Sequence, residues 1–366
     1  MGAARISQDY TSPLGSVGDK LGEANGSCHD PAEAAPTRPR VVALGGGTGL
    51  PTLLRGLRTA MFSPGAQPAS ERDRACLTAI VTVADDGGSS GRLRQAYAVP
   101  SPGDVRNCLL ALAEGQSAMA AIFGFRFDGT SDVGGHSLGN LILTALTRMN
   151  SGFLEALEQG GEILGIQGRV LPATLTNVIL HAEFADGTEV QGESRIAVAR
   201  RLIRRVSLRP ARARALPEAC EAIQAADLIV VGPGSLYTSL IATLLVDDLA
   251  EALAHARGRI ALVMNLMTEP GETDGYTAAD HLVAIRRHVR HLPIHYLLLN
   301  AAPIAESAVA YYGLRGAAPV APDVELLRAL GSVPVMRDLL GTGLTVRHDP
   351  HKLAGALLEL AEEGAR

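Results

Sequence analysis

Two glycine-rich segments stand where an apolar run hands over to a helical pattern. Gly45, Gly46, Gly47, Thr48 and Gly49 follow Val41 to Leu44 and precede an amphipathic stretch carrying Leu53, Leu54 and Leu57. Such a turn leaves backbone N–H groups unpaired at the positive end of a helix dipole, and glycine lets a phosphate come close. The register is neither G-x-G-x-x-G nor a Gly-Lys-Ser/Thr ending, so neither the dinucleotide fingerprint nor a Walker loop is matched. Gly232-Pro233-Gly234-Ser235 repeats the device after Leu228 to Val231, with Ser235 and Thr238 offering hydroxyls. Either turn alone could serve chain geometry only; two of them point to phosphate. A helix terminus contributes about 0.3 to 2 kcal/mol toward an anion, whereas micromolar affinity needs about 8 kcal/mol. Several loops and charged donors must therefore converge.

Asp85 and Asp86 head a polar, glycine-rich string through Gly91 that reads as a loop at a strand's carboxyl end, where open parallel sheets bind ligands. The two carboxylates could accept from ribose hydroxyls, or coordinate Mg²⁺ together with Ser89 or Ser90, since hard cations prefer such oxygens. Capping of their own turn is the plainer role. Asp104 reads as an N-cap, with Arg106 as a bidentate phosphate clamp or a solvated cation, and Asn107 beside it. His136, with Ser137 and Asn140 at another glycine-led helix start, has the pKa of a general acid/base, against the commoner role of a hydrogen-bonded structural histidine. There is no G-x-S-x-G, no His-x-x-x-His and no evident triad, which disfavours covalent hydrolase chemistry. Arg195, Arg200, Arg201, Arg204, Arg205, Arg209, Arg212 and Arg214 form a basic stretch with few aromatics, read as a solvated face or a contact for an acidic partner.

The elements that must hold these residues follow from the pattern. Strands Val41 to Leu44 and Leu77 to Val83 are apolar on both faces and linked through a helix, which implies a parallel sheet. Further strands read at Leu228 to Val231, Ile260 to Asn265, Tyr296 to Asn300 and Val333 to Met336. Helices read from near Ser137 to Arg148 and from Pro350 to about Glu362. Val178 to Phe184 and Thr188 to Ser194, joined by Asp186-Gly187, read as a hairpin with a type I′ turn inside a small antiparallel subdomain at about 165–210. The fold class is α/β, a Rossmann-like doubly wound, mainly parallel sheet with a small antiparallel β insertion, over residues 40–366. Residues 1–39 show no helical or strand period and read as a disordered tail. Ser63 to Arg74 reads as a surface loop.

Composition bounds the function. The 366 residues are 47% hydrophobic but only 4% aromatic, with no Trp, so small aliphatic side chains carry the core. Thirty-three basic against 38 acidic residues leave a net charge of −5, which disfavours bulk attraction to nucleic acid or an anionic membrane. Cys28, Cys76, Cys108 and Cys220 are scattered without a C-x-x-C pair, so neither a zinc ribbon nor a disulfide framework is suggested, and a reducing cytoplasm fits. No membrane span or secretory signal is read.

The strings VVALGGGTGLPTLLRGL, LTAIVTVADDGGSSGRLR, PSPGDVRNCLLAL, GGHSLGNLIL, LHAEFADGTEVQGES, ADLIVVGPGSLYTS and NLMTEPGETDGYTAADHL, in this order, resemble the YvcK branch of the CofD-like family, also called gluconeogenesis factors. The resemblance runs from about residue 40 to the C-terminus and excludes the tail and the Ser63 to Arg74 segment. It implies a Rossmann-like fold that binds UDP-glucose or UDP-N-acetylglucosamine, with a role in carbon use, cell shape and peptidoglycan synthesis. Possession of the same strings would place Gly45 to Gly49, the Asp85-Asp86 loop, Asn107, His136 to Asn140 and Gly232 to Ser235 around the ligand. Tyr312, in AVAYYGLRG, and Arg347, in VRHDPHKL, would contact it too, with Tyr311 the neighbouring alternative. The expected protein is a cytoplasmic regulator, and two rival readings stand beside it. One is a Mg²⁺-dependent 2-phospho-L-lactate transferase acting on a 5-deazaflavin, as in the broader family, with Asp85 and Asp86 on metal or acceptor hydroxyl. The other is a nicotinamide-dinucleotide binder. Cell-wall synthesis proteins and a second copy of the chain are the expected partners.

Overall fold

The computed structural model describes residues 38–63, 70–115, 117–343 and 345–364. The tail expected over residues 1–39 lies outside the described residues apart from Arg38 and Pro39, as does 64–69 of the expected surface loop. The end of that loop is a short helix, Glu71–Arg74, capped by Ser70, whose side chain accepts from Asp73 N–H.

The strands, in chain order, are β1 (Val41–Gly45), β2 (Leu77–Val81), β3 (Arg169–Pro172), β4 (Ile179–Phe184), β5 (Glu189–Gln191), β6 (Ile203–Arg209), β7 (Leu228–Val231), β8 (Arg259–Val263), β9 (Tyr296–Asn300) and β10 (Val333–Arg337). Seven of them form one sheet in the order β10-β9-β8-β7-β1-β2-β3, and β5-β4-β6 form a second, antiparallel sheet. Every neighbouring pair in the large sheet is parallel, with Val41 opposite both Leu77 and Leu228. β1, β2 and β7 are buried at every residue, as strands covered by helices on both faces must be. The mainly parallel α/β fold with its antiparallel addition is thus the observed architecture.

The helix Gly49–Met61 shows how the sequence fixes this packing. Leu50, Leu53, Leu54 and Leu57 recur at i, i+3, i+4 and i+7 and are each fully buried. Burying each stabilises the fold by roughly 1.5 to 3 kcal/mol before conformational entropy is counted. On its other side the helix meets the C-terminal helix, Pro350–Gly364, at Gly56.

Four local readings change. The string after Asp86 is a loop only to Gly87, because the helix Gly88–Tyr97 starts inside it. The Gly91 N–H donates to the Gly87 carbonyl, and a Cβ at Gly91 would strike the Asp86 carbonyl, so this glycine permits a tight helix start instead of breaking one. Asp104 is not the cap of its helix, which spans Gly103–Leu112 with Pro102 in that place; its carboxylate is drawn away to accept from Gly47 N–H. The β4–β5 hairpin forms with His181 opposite Gln191, but without a type I′ turn. Only Gly187 takes a positive φ, 82°, and its N–H donates to the Phe184 carbonyl, so a longer loop closed by that glycine replaces the two-residue turn. The hairpin's second strand also stops at Gln191, where the helix Glu193–Ala199 begins after Gly192.

The antiparallel sheet starts at Ile179, later than the expected boundary near 165, because Arg169–Pro172 pairs with β2 in the large sheet. β6 alternates Ile203, Val206 and Leu208 inward with Arg204, Arg205 and Arg209 outward, which accounts for part of the basic stretch as a solvated face. Arg204 meets Glu183 across the sheet at 2.8 Å, both at the surface.

The Gly56 contact yields a direct test. A Cβ there would run into the Pro350 carbonyl, whereas one at Gly355, on the exposed side of the partner helix, would meet nothing. Gly56→Ala should cost about 1 to 3 kcal/mol by overpacking. Gly355→Ala should add up to about 1 kcal/mol through helix propensity. Urea denaturation followed by circular dichroism reads both, and coincident midpoints for the two variants would contradict the packing.

Candidate functional site

β1 and β7 are adjacent, but the chain leaves them in opposite directions across the sheet, toward β2 and β3 from one and toward β8, β9 and β10 from the other. Such a reversal opens a crevice beyond the carboxyl ends of the strands. A cleft of about 900 Å³ lies there. The turn after β1 contributes Gly47, Thr48 and Gly49 to its wall, and the turn after β7 contributes Pro233, Gly234 and Ser235. They touch each other: a Cβ at Gly49 would strike the Pro233 carbonyl. Both glycine turns therefore face one cavity.

The helix Gly49–Met61 has neither a capping side chain nor an acidic residue in its first turn, so its positive end stands uncompensated at the cleft. Some loop amides are committed elsewhere. Gly47 N–H donates to Asp104 Oδ2 at 2.9 Å. Gly234 N–H donates to Asn265 Oδ1 at 3.3 Å, while Asn265 Nδ2 donates back to the Gly234 carbonyl at 2.9 Å. These bonds fix the shape of both turns.

Four arginines, Arg55, Arg200, Arg315 and Arg347, stand at the rim, and the only acidic residue among the described lining residues is Glu269. Tyr312 and Asn107 also line the cleft. Tyr312 Oη accepts from Val346 N–H at 3.2 Å, which ties it to the segment bearing Arg347. Tyr311 lies outside, half exposed, with the Arg315 guanidinium 3.8 Å above its ring. Tyr312 is thus the cleft-facing member of the pair. Arg200 follows the helix Glu193–Ala199 of the antiparallel part and holds a left-handed φ of 47°, with Gly271 packed against its Cα. Strain of this kind persists only where surroundings enforce it.

The remaining expected residues lie behind or beside the cleft wall. Gly45, Gly46 and Gly232 form the floor of the turns without lining the cavity. Thr238 is buried and its hydroxyl donates to Glu272 Oε1 at 2.9 Å, so it supports the second turn from beneath. Burial pushes Glu272 up to about 7. Ser89, His136, Asn140 and Arg106 form one buried network. Ser89 Oγ lies 3.0 Å from His136 Nδ1 and accepts from Asn140 Nδ2 at 3.1 Å. Arg106 donates to Asn140 Oδ1 at 3.0 Å and to Asn107 Oδ1 at 2.6 Å. Arg106 is therefore neither a solvated cation nor a cleft clamp; it holds Asn107 so that the Asn107 amide nitrogen is left for the cleft. Burial, then Arg92 and Arg126, lower the His136 pKa, which leaves a neutral ring.

Asp85 and Asp86 diverge. Asp85 Oδ1 accepts from Gly87 N–H at 2.8 Å and its other oxygen faces Ser101, at 3.4 Å. Asp86 Oδ1 accepts from Ser194 N–H at 2.9 Å, across the boundary with the antiparallel sheet. Among the described residues no group of three or more His, Cys, Asp or Glu side chains is placed to hold a metal ion. The pair does not fit the Mg²⁺ role, because each carboxylate is turned to a different element. Both nevertheless act on their surroundings. Burial, then Asp85, Asp104 and Asp86, raise Glu193 to about 8. Burial raises Asp104 to about 6, against the pull of the Gly47 N–H.

A family model described as 2-phospho-L-lactate transferase CofD matches residues 41–340. The chain belongs to the CofD family. Its relatives place it in the gluconeogenesis-factor, YvcK-like branch. It is 43% identical over 328 residues to the gluconeogenesis factor of Bacillus subtilis, covering 89% of this chain and 99% of that one. It is 44% identical to the gluconeogenesis factor of Halalkalibacterium halodurans, covering 88% and 96%. A crystal structure of a Bacillus halodurans protein superposes with a TM-score of 0.81 at 43% identity, covering 88% of this chain and 100% of that chain.

In this CofD-family chain, the sequence pattern left Arg55, Arg315, Asn265 and Glu269 unassigned, and it read Arg200 as part of a solvated face or a contact for an acidic partner, whereas Arg200 lines the cleft. Asn265 and Glu269 follow β8 at its carboxyl end, the position that marked the other loops. Arg55 sits on the helix after the first glycine turn. Arg200 was hidden inside a basic run whose other members face solvent.

The half-buried Glu193 sets a pH signature. Its folded pKa of about 8 lies above the usual 4.5. The stability tied to its protonated form is present below about pH 4.5 and lost as pH rises through 8. Glu193→Gln, which cannot ionise, should melt above the parent protein at pH 8.5 and close to it at pH 4.5. Scanning calorimetry at both values checks this; an equal difference at the two pH values would contradict it.

Proposed function

We propose that this protein binds a nucleoside-diphosphate sugar, UDP-N-acetylglucosamine or UDP-glucose, in the β1–β7 cleft and acts as a cytoplasmic regulator of carbon use, cell shape and peptidoglycan synthesis. The observation that carries the reading is the uncapped helix end between two touching glycine turns, ringed by four arginines, in a cleft of about 900 Å³. Pockets of roughly 300 to 1,000 Å³ suit a ligand of this size. The diphosphate would take the amides and guanidinium groups, as charge-assisted donors favour. The resemblance to gluconeogenesis factors supplies the sugar nucleotide and the physiological role. The bound state would be passed to cell-wall synthesis proteins, with the regulator acting as a homodimer. Among the described residues no helix is long and apolar enough to cross a membrane.

The transferase reading draws on the family model over residues 41–340 and on the glycine and Asp85-Asp86 loops shared with the broader family, and the divergence of Asp85 and Asp86 speaks against it. Isothermal titration calorimetry with UDP-N-acetylglucosamine tests the main reading. Saturable heat is expected, and folded protein that gives none at millimolar ligand removes it. Arg347→Ala should weaken binding by about 1.5 to 3 kcal/mol, the range of a hydrogen bond to a charged group. The Arg106→Lys variant should weaken it less, by releasing Asn107 and not by removing a ligand contact. Competition by NADP for the same heat would favour the dinucleotide alternative.

A further inference from the structure

Away from the cleft, a groove of about 630 Å³ opens between the helix Asp247–Ala254 and the end of the helix Ala278–His288. Its floor ends the helical run that begins at the second glycine turn, with Leu244 buried and Leu245 half-buried. The two sides carry opposite charge. Asp247 and Glu251, both exposed and one helical turn apart, stand on one side, where Ala250 and Ala254 are too small to cover the floor. Val289, Arg290 and His291 form the other, with Arg290 and His291 exposed. Among the described residues, none of the side chains of Asp247, Glu251, Arg290 and His291 enters an ion pair, across the groove or with any neighbour. The remaining histidines of the lining are tied to backbone: His255 Nδ1 donates to the Glu251 carbonyl at 3.0 Å, and His288 Nε2 accepts from Val206 N–H at 3.0 Å.

Like charges four residues apart on a helix repel, and here nothing within the chain offsets them. A partner of a single sign would be drawn to one side of the groove and pushed off by the other. A copy of the same chain, turned about a two-fold axis that runs along the groove, meets neither difficulty. The rotation sets the acidic side of each copy against the basic side of the other, and every such contact occurs twice. An apolar floor within a charged rim is also the usual anatomy of a protein interface. We propose that two copies of the chain dock through this groove, with the Asp247 and Glu251 side of each against the Arg290 and His291 side of the other. The inference rests on the homodimer of the preceding section and gives it a surface; it does not depend on what fills the cleft.

Sedimentation equilibrium of the full chain tests this. The parent protein is expected to be dimeric. Asp247→Lys combined with Glu251→Lys makes both sides of the groove basic, and Arg290→Glu combined with His291→Glu makes both acidic. Each variant should weaken its own dimer by roughly tenfold or more, since like charges then meet at two places. Mixed in equal amounts, the two variants should form a heterodimer about as tight as the parent dimer, because each again meets the opposite sign at both places. All four positions are exposed, so the circular dichroism of both variants should match the parent. A parent dimer that neither variant weakens overturns the surface while the homodimer stands, and so do variants that stay apart when mixed. A parent protein that remains monomeric overturns the homodimer and the surface together and leaves the groove to a different protein. The sugar-nucleotide reading falls only by its own calorimetry.

Discussion

The cleft exists because two backbone turns touch with no side chain between them. Gly49 faces the Pro233 carbonyl so closely that a Cβ has no room, and this contact draws the ends of β1 and β7 together. The register of the two strands, Val41 opposite Leu228, leads both turns out at the same height. Reversal of chain direction across this pair then leaves their outer sides free. A helix end can be left uncapped here because the space in front of it is the cleft, and the same glycines that make the contact leave the backbone within a ligand's reach.

Around that contact, polar side chains act mainly as braces. Asp104 holds the first turn through Gly47, Asn265 holds the second through Gly234, and Thr238 rests on Glu272 below it. Keeping these groups in place has an electrostatic cost, visible in Asp104 and Glu193, whose burial disfavours ionisation. Such braces look like ligands in a sequence, since the residue types are the same. What separates them is whether the polar atom is already spent.

The parallel sheet was legible because β1, β2 and β7 are apolar on both faces, a pattern that helices and half-exposed strands do not share. The two glycine turns were legible for the same reason: each follows such a strand. β3 was not, since Arg169–Pro172 is four residues long with a charged first member and sits at the sheet edge. The Asp186-Gly187 turn was placed correctly but given the wrong type, because Asp-Gly suits both a two-residue turn and the glycine-closed loop that formed. Among the site residues, those on the glycine turns could be read from local spacing. Arg200 and Glu269 could not, because their place at the cleft depends on packing between segments far apart in the chain. His136 and Asn140 have the chemistry of a site, yet they are satisfied within a buried network with Ser89 and Arg106.

Of the four arginines at the cleft, Arg200 alone is carried by the antiparallel part, and Asp86 grips the helix just before it through Ser194. An occupant that engages Arg200 together with the turns of β1 and β7 would therefore act as a non-covalent staple between the two sheets. Such a staple raises the free energy of any local opening that separates them, in proportion to how tightly the occupant is held. Amides of β4 and β6 would exchange with solvent more slowly when the cleft is filled, although neither strand touches it.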